Sequence, residues 1–82
     1  MTTLTLYSRP DCHLCDEARE KIVALRRNGA RFELREVDIE SDDELFAEYL
    51  ERIPVVAVED EIVSELSLDL DALRARLDTV GA

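Results

Sequence analysis

The chain has 82 residues, with 20 Asp and Glu against 10 Lys and Arg, a net charge of −10 and an apolar content of 46%. At this length one domain with one modest core is expected, burying roughly 60–65% of the unfolded surface, so a site must be a surface groove or an exposed reactive group. The acidic balance excludes nucleic acid and anionic membrane as partners, because both need a basic footprint.

The segment "TLTLY" at 3–7 alternates apolar and polar residues and predicts a first strand. Pro10 and Asp11 end it. From Cys12 to Asn28 the pattern turns helical, with Cys15, Ala18, Ile22 and Leu25 on one face. Asp11 is the expected N-cap. Arg26 and Arg27 suit the negative end of the helix dipole, and Asn28-Gly29 suits a left-handed cap. Residues 31–37, with Phe32, Leu34 and Val37, predict a second strand. "SDDE" at 41–44 reads as a capping box with Ser41 as the cap, and Leu45, Phe46, Tyr49 and Leu50 supply the apolar face of a second helix. That helix stops before Pro54.

"VVAV" at 55–58 predicts a buried strand, "EDE" a turn, and "IVS" at 62–64 a strand pairing back. Leu66, Leu70, Leu73 and Leu77, spaced by four, three and four, mark a last helix over 68–78. The order β-α-β-α-β-β-α implies an α/β fold with a mixed sheet and helices on its faces, the first βαβ unit being a right-handed parallel crossover. "MTTLTLYS" has neither a basic nor an apolar signal region, and "IPVVAV" is too short to span a bilayer. A cytoplasmic protein is therefore expected, where a disulfide is catalytic or transient more often than structural.

Both cysteines lie in "SRPDCHLCDEA", residues 8–18. As a structural staple, Cys12–Cys15 closes a loop worth only about 2 kcal/mol. As a zinc site it lacks a second half: zinc wants four ligands, and the chain offers two cysteines and His13. Haem attachment needs a histidine after the second cysteine, where Asp16 stands, and the acidic run "DIESDDE" lacks the glycine and distal glutamate of a calcium loop. No metal is expected. A redox pair fits the local chemistry. Cys12 falls at a helix start, where free amides and the dipole favour a thiolate. Arg9 adds positive charge and Asp11 opposes it. Cys15, one turn on, faces the core. An exposed nucleophile and a sheltered second thiol suit disulfide exchange. His13 stays open between a thiolate stabiliser and an exposed neutral imidazole.

A first strand, a C-x-x-C opening the first helix, and "IP" opening a later buried strand resemble the thioredoxin fold. The short β-α-β-α-β-β-α order is similar to glutaredoxin, in particular the small bacterial glutaredoxin-like proteins. "LYSRPDCHLCDEA" and "RIPVV" carry the resemblance, which spans essentially the whole chain. It implies a four-stranded mixed sheet with helices on both faces, Cys12 as nucleophile, Cys15 as resolving thiol, and a cis Ile53–Pro54 bond facing them. It implies that the backbone of Ile53 pairs with substrate, and Arg9 matches the family's basic residue before the motif; the expected substrate groove is Arg9, His13, Leu14, Arg52, Ile53 and Pro54, with Arg52 as a second positive charge beside it.

The pattern departs from glutaredoxin in three places. His13-Leu14 replaces Pro-Tyr, Arg52-Ile53 replaces Thr-Val, and Ser64-Glu65 replaces a glycine pair that binds glutathione. A Glu65 carboxylate there opposes glutathione's own carboxylate, and side chains restrict backbone approach. No cofactor is implied, and glutathione and a protein reductase stay open as reductants. The expected activity is thiol–disulfide exchange by a monomer on a protein or low-molecular-weight disulfide. The alternatives are a redox-sensitive binding module with little turnover, and metal or cluster carriage shared with a second chain.

Overall fold

A computed structural model describes residues 2–81, and the side chains of residues 2–78. The elements run β1 (Thr3–Ser8), α1 (His13–Arg27), β2 (Glu33–Asp38), a 3-10 turn (Ile39–Ser41), α2 (Asp43–Tyr49), β3 (Val55–Val58), β4 (Glu61–Ser64) and α3 (Leu70–Gly81). The sheet order is β2-β1-β3-β4. β1 is parallel to β2, with Leu4 opposite Leu34, and antiparallel to β3, with Leu6 opposite Val56. β3 and β4 form an antiparallel hairpin with a register shift at Val56/Ala57. Its two-residue turn places Glu59 at φ 56°.

Strand alternation sorts the sheet's two faces. Leu4, Leu6, Val56 and Val58 point to one side and pack with Ala18 and Ile22 of α1, Phe32, Leu68 and Leu73 of α3. Thr5, Tyr7, Val55 and Ala57 point to the other. There Tyr49 of α2 stacks on Tyr7 with ring centroids 4.6 Å apart. Helices therefore cover both faces. α1 and α3 hold the larger core, while no residue of α2 is fully buried.

The end of α1 follows from its sequence. Gly29 takes φ 102°, its N–H donates to the Arg26 carbonyl at 3.1 Å, and the Ala30 N–H donates to the Leu25 carbonyl at 3.0 Å. These two bonds make a Schellman cap, which needs the left-handed residue that glycine supplies.

The helix starts differ from expectation. Cys12, not Asp11, is the N-cap of α1. Asp11 lies one residue outside at φ 61°, turning the chain. Asp42, not Ser41, caps α2: its Oδ1 accepts from the Glu44 N–H at 2.8 Å and the Leu45 N–H at 3.2 Å. Ser41 is drawn into the preceding 3-10 turn, where its hydroxyl donates to the Asp38 carbonyl at 2.6 Å. That turn also buries Ile39 completely. Replacing Asp42 by Ala should lower stability by about 1 kcal/mol, and Ser41→Ala by less, in urea unfolding.

Other boundaries shift too. β2 runs over 33–38 instead of 31–37, since Phe32 packs into the core just ahead of the ladder. Leu50 belongs less to the apolar face than its spacing implies and is exposed. α3 starts at Leu70 and runs to Gly81, with the Asp69 carboxylate accepting from the Ala72 N–H at 3.0 Å. Leu66 stands outside it, exposed and at φ 67°, a conformation no helix continues. Leu68 takes the core position instead.

Candidate redox site

β1 delivers the chain to the site. Ser8 is buried at its end, and Arg9-Pro10-Asp11 carries it over to Cys12. Tyr7 pairs with Val55, so the antiparallel register sets Pro54 beside Ser8. Pro54 is fully buried, and the Ile53–Pro54 bond is cis. By alternation Pro54 shares the sheet face on which α1 lies. The proline and the start of α1 thus lie toward the same end of the sheet, on one face.

Cys12 and Cys15 lie at disulfide distance, with Cα atoms 5.2 Å apart. Their environments differ. Cys15 is completely buried and continues the Ala18–Ile22 face of α1, whereas Cys12 is partly exposed. Cys12 sits at φ −100° and ψ 104°, outside the helix, and its Sγ accepts from the Cys15 N–H at 3.1 Å. One of the orphan donors of the first turn is therefore satisfied by sulfur. This sulfur does the work assigned above to Asp11.

The other expected site residues divide. Leu14 projects into solvent in the first turn. His13 is also outside, its side chain 86% exposed, with Nε2 3.5 Å from Glu17 Oε1. The imidazole thus pairs along the outer surface of α1, the geometry of an exposed histidine. Arg9 is turned to the α2 side: its guanidinium pairs with Glu40 at 2.9 Å and lies 5.8 Å from the Phe46 ring centre. Its charge is committed there. Ile53 is half-buried at the start of the cis bond.

Arg52 departs most from expectation, because it is not a free cation. Its Nη1 donates to Glu48 at 2.7 Å, its Nε donates to Glu65, and its guanidinium lies 5.2 Å from the Tyr49 ring centre. Its backbone joins the same elements. The Arg52 N–H donates to the Tyr49 carbonyl at 2.8 Å, and the Arg52 carbonyl accepts from the Leu66 N–H at 2.8 Å. Residue 52 thereby ties α2 and the loop after β4 to the segment leading into Pro54. The hydrogen bond from Arg52 holds the Glu65 carboxyl below the usual carboxylate range, and the bond to Glu65 raises the guanidinium further. Burial first, with the neighbouring Tyr7 second, raises the Tyr49 phenol.

Tyr7, Glu48 and Tyr49 are additions to the site region that the sequence reading missed. The i, i+4 spacing of Glu48, in α2, and Arg52, in the turn that follows it, was a readable signal for one contact. The Arg52–Glu65 contact, thirteen residues apart, had none. Arg19 is a further case, joined to Asp16 at 2.8 Å and to Glu36 across the gap to β2. Among the described residues no group of three or more His, Cys, Asp and Glu side chains is placed to hold a metal ion. Nor is any helix there long and apolar enough to cross a membrane.

Known proteins are similar to this chain in sequence and fold. The glutaredoxin-like domain family (DUF836) matches residues 3–78. A glutaredoxin-like protein of Dictyostelium discoideum, described as a YDR286C homolog, is 28% identical over 82 residues, covering 94% of this chain and 76% of its own length. The solution structure of protein Ne2328 from Nitrosomonas europaea superposes with a TM-score of 0.80 at 31% identity, covering 92% of this chain and 89% of that one. A mutant thioredoxin from Halobacterium salinarum, at 19% identity, shares the fold, with a TM-score of 0.66 over 95% of this chain and 73% of its own. With the sheet order, the Cys12–Cys15 pair and the family match in agreement, the chain belongs to the glutaredoxin-like (DUF836) family and has the thioredoxin fold.

Proposed function

We propose that this protein is a dithiol–disulfide oxidoreductase with Cys12 as nucleophile and Cys15 as resolving thiol. The observation that carries the reading is the asymmetry of the pair. Cys12 is reachable and already accepts a helix-start amide, while Cys15 is sealed in the core. In the reduced protein the same N–H and the positive helix end favour a Cys12 thiolate.

The reaction balances without a cofactor. The Cys12 thiolate attacks one sulfur of a substrate disulfide, forms a mixed disulfide and expels the first substrate thiolate. Cys15, deprotonated, attacks Cys12 Sγ, and the second substrate thiolate leaves. The substrate has gained two electrons and the protein holds the Cys12–Cys15 disulfide. An external thiol or a reductase of the same compartment returns two electrons and resets the pair. A reducing compartment such as the cytosol suits this cycle.

The substrate meets the pair where the segment Arg52–Ile53–Pro54 flanks the start of α1. Leu14, exposed two residues from Cys12, offers an apolar contact for substrate, and half-buried Ile53 a second one at the edge of that segment. Cys12→Ser tests the reading: turnover of a small disulfide with an external reductant should fall to the uncatalysed rate. Turnover retained in that variant would overturn it.

A further inference from the structure

The arginines placed around the redox end of the sheet are all held by carboxylates of the same chain. Arg9 meets Glu40, Arg19 meets Asp16 and Glu36, and Arg52 meets Glu48 and Glu65. Three cations thus face five anions, and Asp11 and Glu17 add exposed negative charge beside Cys12. Arg52 stands apart, because it is two residues from Pro54 and its backbone carbonyl is bonded to the loop that carries Glu65. A carboxylate on an approaching molecule would look for this guanidinium. Glu65 already occupies it.

We propose that Glu65 is a specificity-determining residue: as the internal occupant of Arg52 it turns the site against anionic disulfides and toward neutral or cationic ones. The proposal rests on Cys12 being the attacking sulfur, as argued above, and adds the charge class of what it attacks. Three features support it. Glu65 reaches Arg52 by a side-chain hydrogen bond, and the adjoining Leu66 N–H fixes the loop on the Arg52 carbonyl, so the occupant is held by both side chain and backbone. Arg52 is also shared with Glu48, which leaves the pair of carboxylates in excess. The Glu65 carboxyl is held in its charged form to lower pH than an ordinary glutamate. A substrate carboxylate would have to displace a bound anion and then sit beside it. A substrate ammonium meets an uncompensated negative charge.

The test is a charge series of small disulfides reacted with the reduced protein: dianionic dithiodipropionate, neutral hydroxyethyl disulfide and dicationic cystamine. Each oxidises the Cys12–Cys15 dithiol and leaves as two thiols, and the rate of disulfide formation is followed by intact mass. The reaction is stoichiometric, so it reads selectivity whether or not the protein turns over. A lack of catalytic turnover would end the oxidoreductase reading and leave this measurement intact. In the native protein cystamine should react fastest and dithiodipropionate slowest.

Glu65→Gln should raise the dithiodipropionate-to-cystamine rate ratio by roughly two- to fivefold, the scale of an exposed ion pair. Arg52→Gln uncovers both carboxylates and should move the ratio the opposite way by a similar factor. Both shifts should vanish in about 1 M salt, where the screening length is about 3 Å. A merely structural role would alter the three rates together and in the same sense in both variants. A ratio unmoved by Glu65→Gln, or moved in the same direction by both variants, would overturn the proposal.

Discussion

Replacing Cys15 by Ala should leave the first half of the exchange running and stop the second. The variant should form a mixed disulfide at Cys12 at close to the native rate and then stall, so that intact mass shows one substrate thiol retained per chain. Alanine is the better replacement, since Cys15 is completely buried and a serine hydroxyl there would lose its water. Cys12 should keep its reactivity, because what it accepts at 3.1 Å is the backbone N–H of residue 15, which any residue but proline provides. Turnover should fall by more than about 10²-fold, because the second step passes from an intramolecular attack to attack by a dilute external thiol. Cys12→Ser should give no adduct at all. Two variants that both form adducts at the native rate would show that the sulfurs do not have separate roles.

The unequal burial of the two cysteines was legible in the sequence because it is local. A helix beginning at a C-x-x-C turns its second cysteine toward the side that holds Ala18 and Ile22, and the structure buries all three. The end of α1 was equally readable, since a left-handed turn wants the glycine that stands at 29. The order of strands and helices followed from the change of period along the chain.

What failed were choices between adjacent residues. Asp11 and Cys12 both carry an atom able to cap α1, and only the backbone decides between them. Asp11 is used at φ 61° to turn out of β1, which moves the cap to the sulfur. At α2 the 3-10 turn over Ile39–Ser41 consumes Ser41 and passes the cap to Asp42. Leu66 fitted the leucine spacing of α3, but its positive φ and its N–H bond to Arg52 fix it in a loop. The Arg52–Glu65 contact was out of reach for another reason. It depends on how the hairpin β3–β4 returns to the segment it left, which no local pattern encodes. Charge signs read one residue at a time made Arg52 an attractor of anions and Glu65 a repeller. Paired, they make a closed unit.

Ile22→Ala should be among the most damaging single changes outside the cysteines, costing about 3 kcal/mol. Ile22 is fully buried, and it lies where α1 meets Leu4 and Leu6 of β1, Val56 and Val58 of β3 and Leu73 of α3. Removing its outer carbons forfeits transfer free energy and leaves a cavity that five neighbours on three elements cannot collapse together, which places the loss in the 2–5 kcal/mol range. Small domains sit near the low end of the usual 5–15 kcal/mol. The melting temperature should therefore drop by roughly 12–24 °C, at about 4–8 °C per kcal/mol for a domain of this size. Leu14→Ala, at an exposed position in the same helix, should change stability by less than about 0.5 kcal/mol. Equilibrium urea unfolding of the oxidised protein would measure both, with an unchanged m-value expected for each. The contrast bears on function as well as stability. Ile22 continues the face that seats Cys15, so its loss should raise hydrogen exchange at the start of α1 and expose the resolving thiol. Equal losses for the two variants would mean that α1 is not anchored through the Cys15–Ala18–Ile22 face, and the sheltered position of Cys15 would then need another cause.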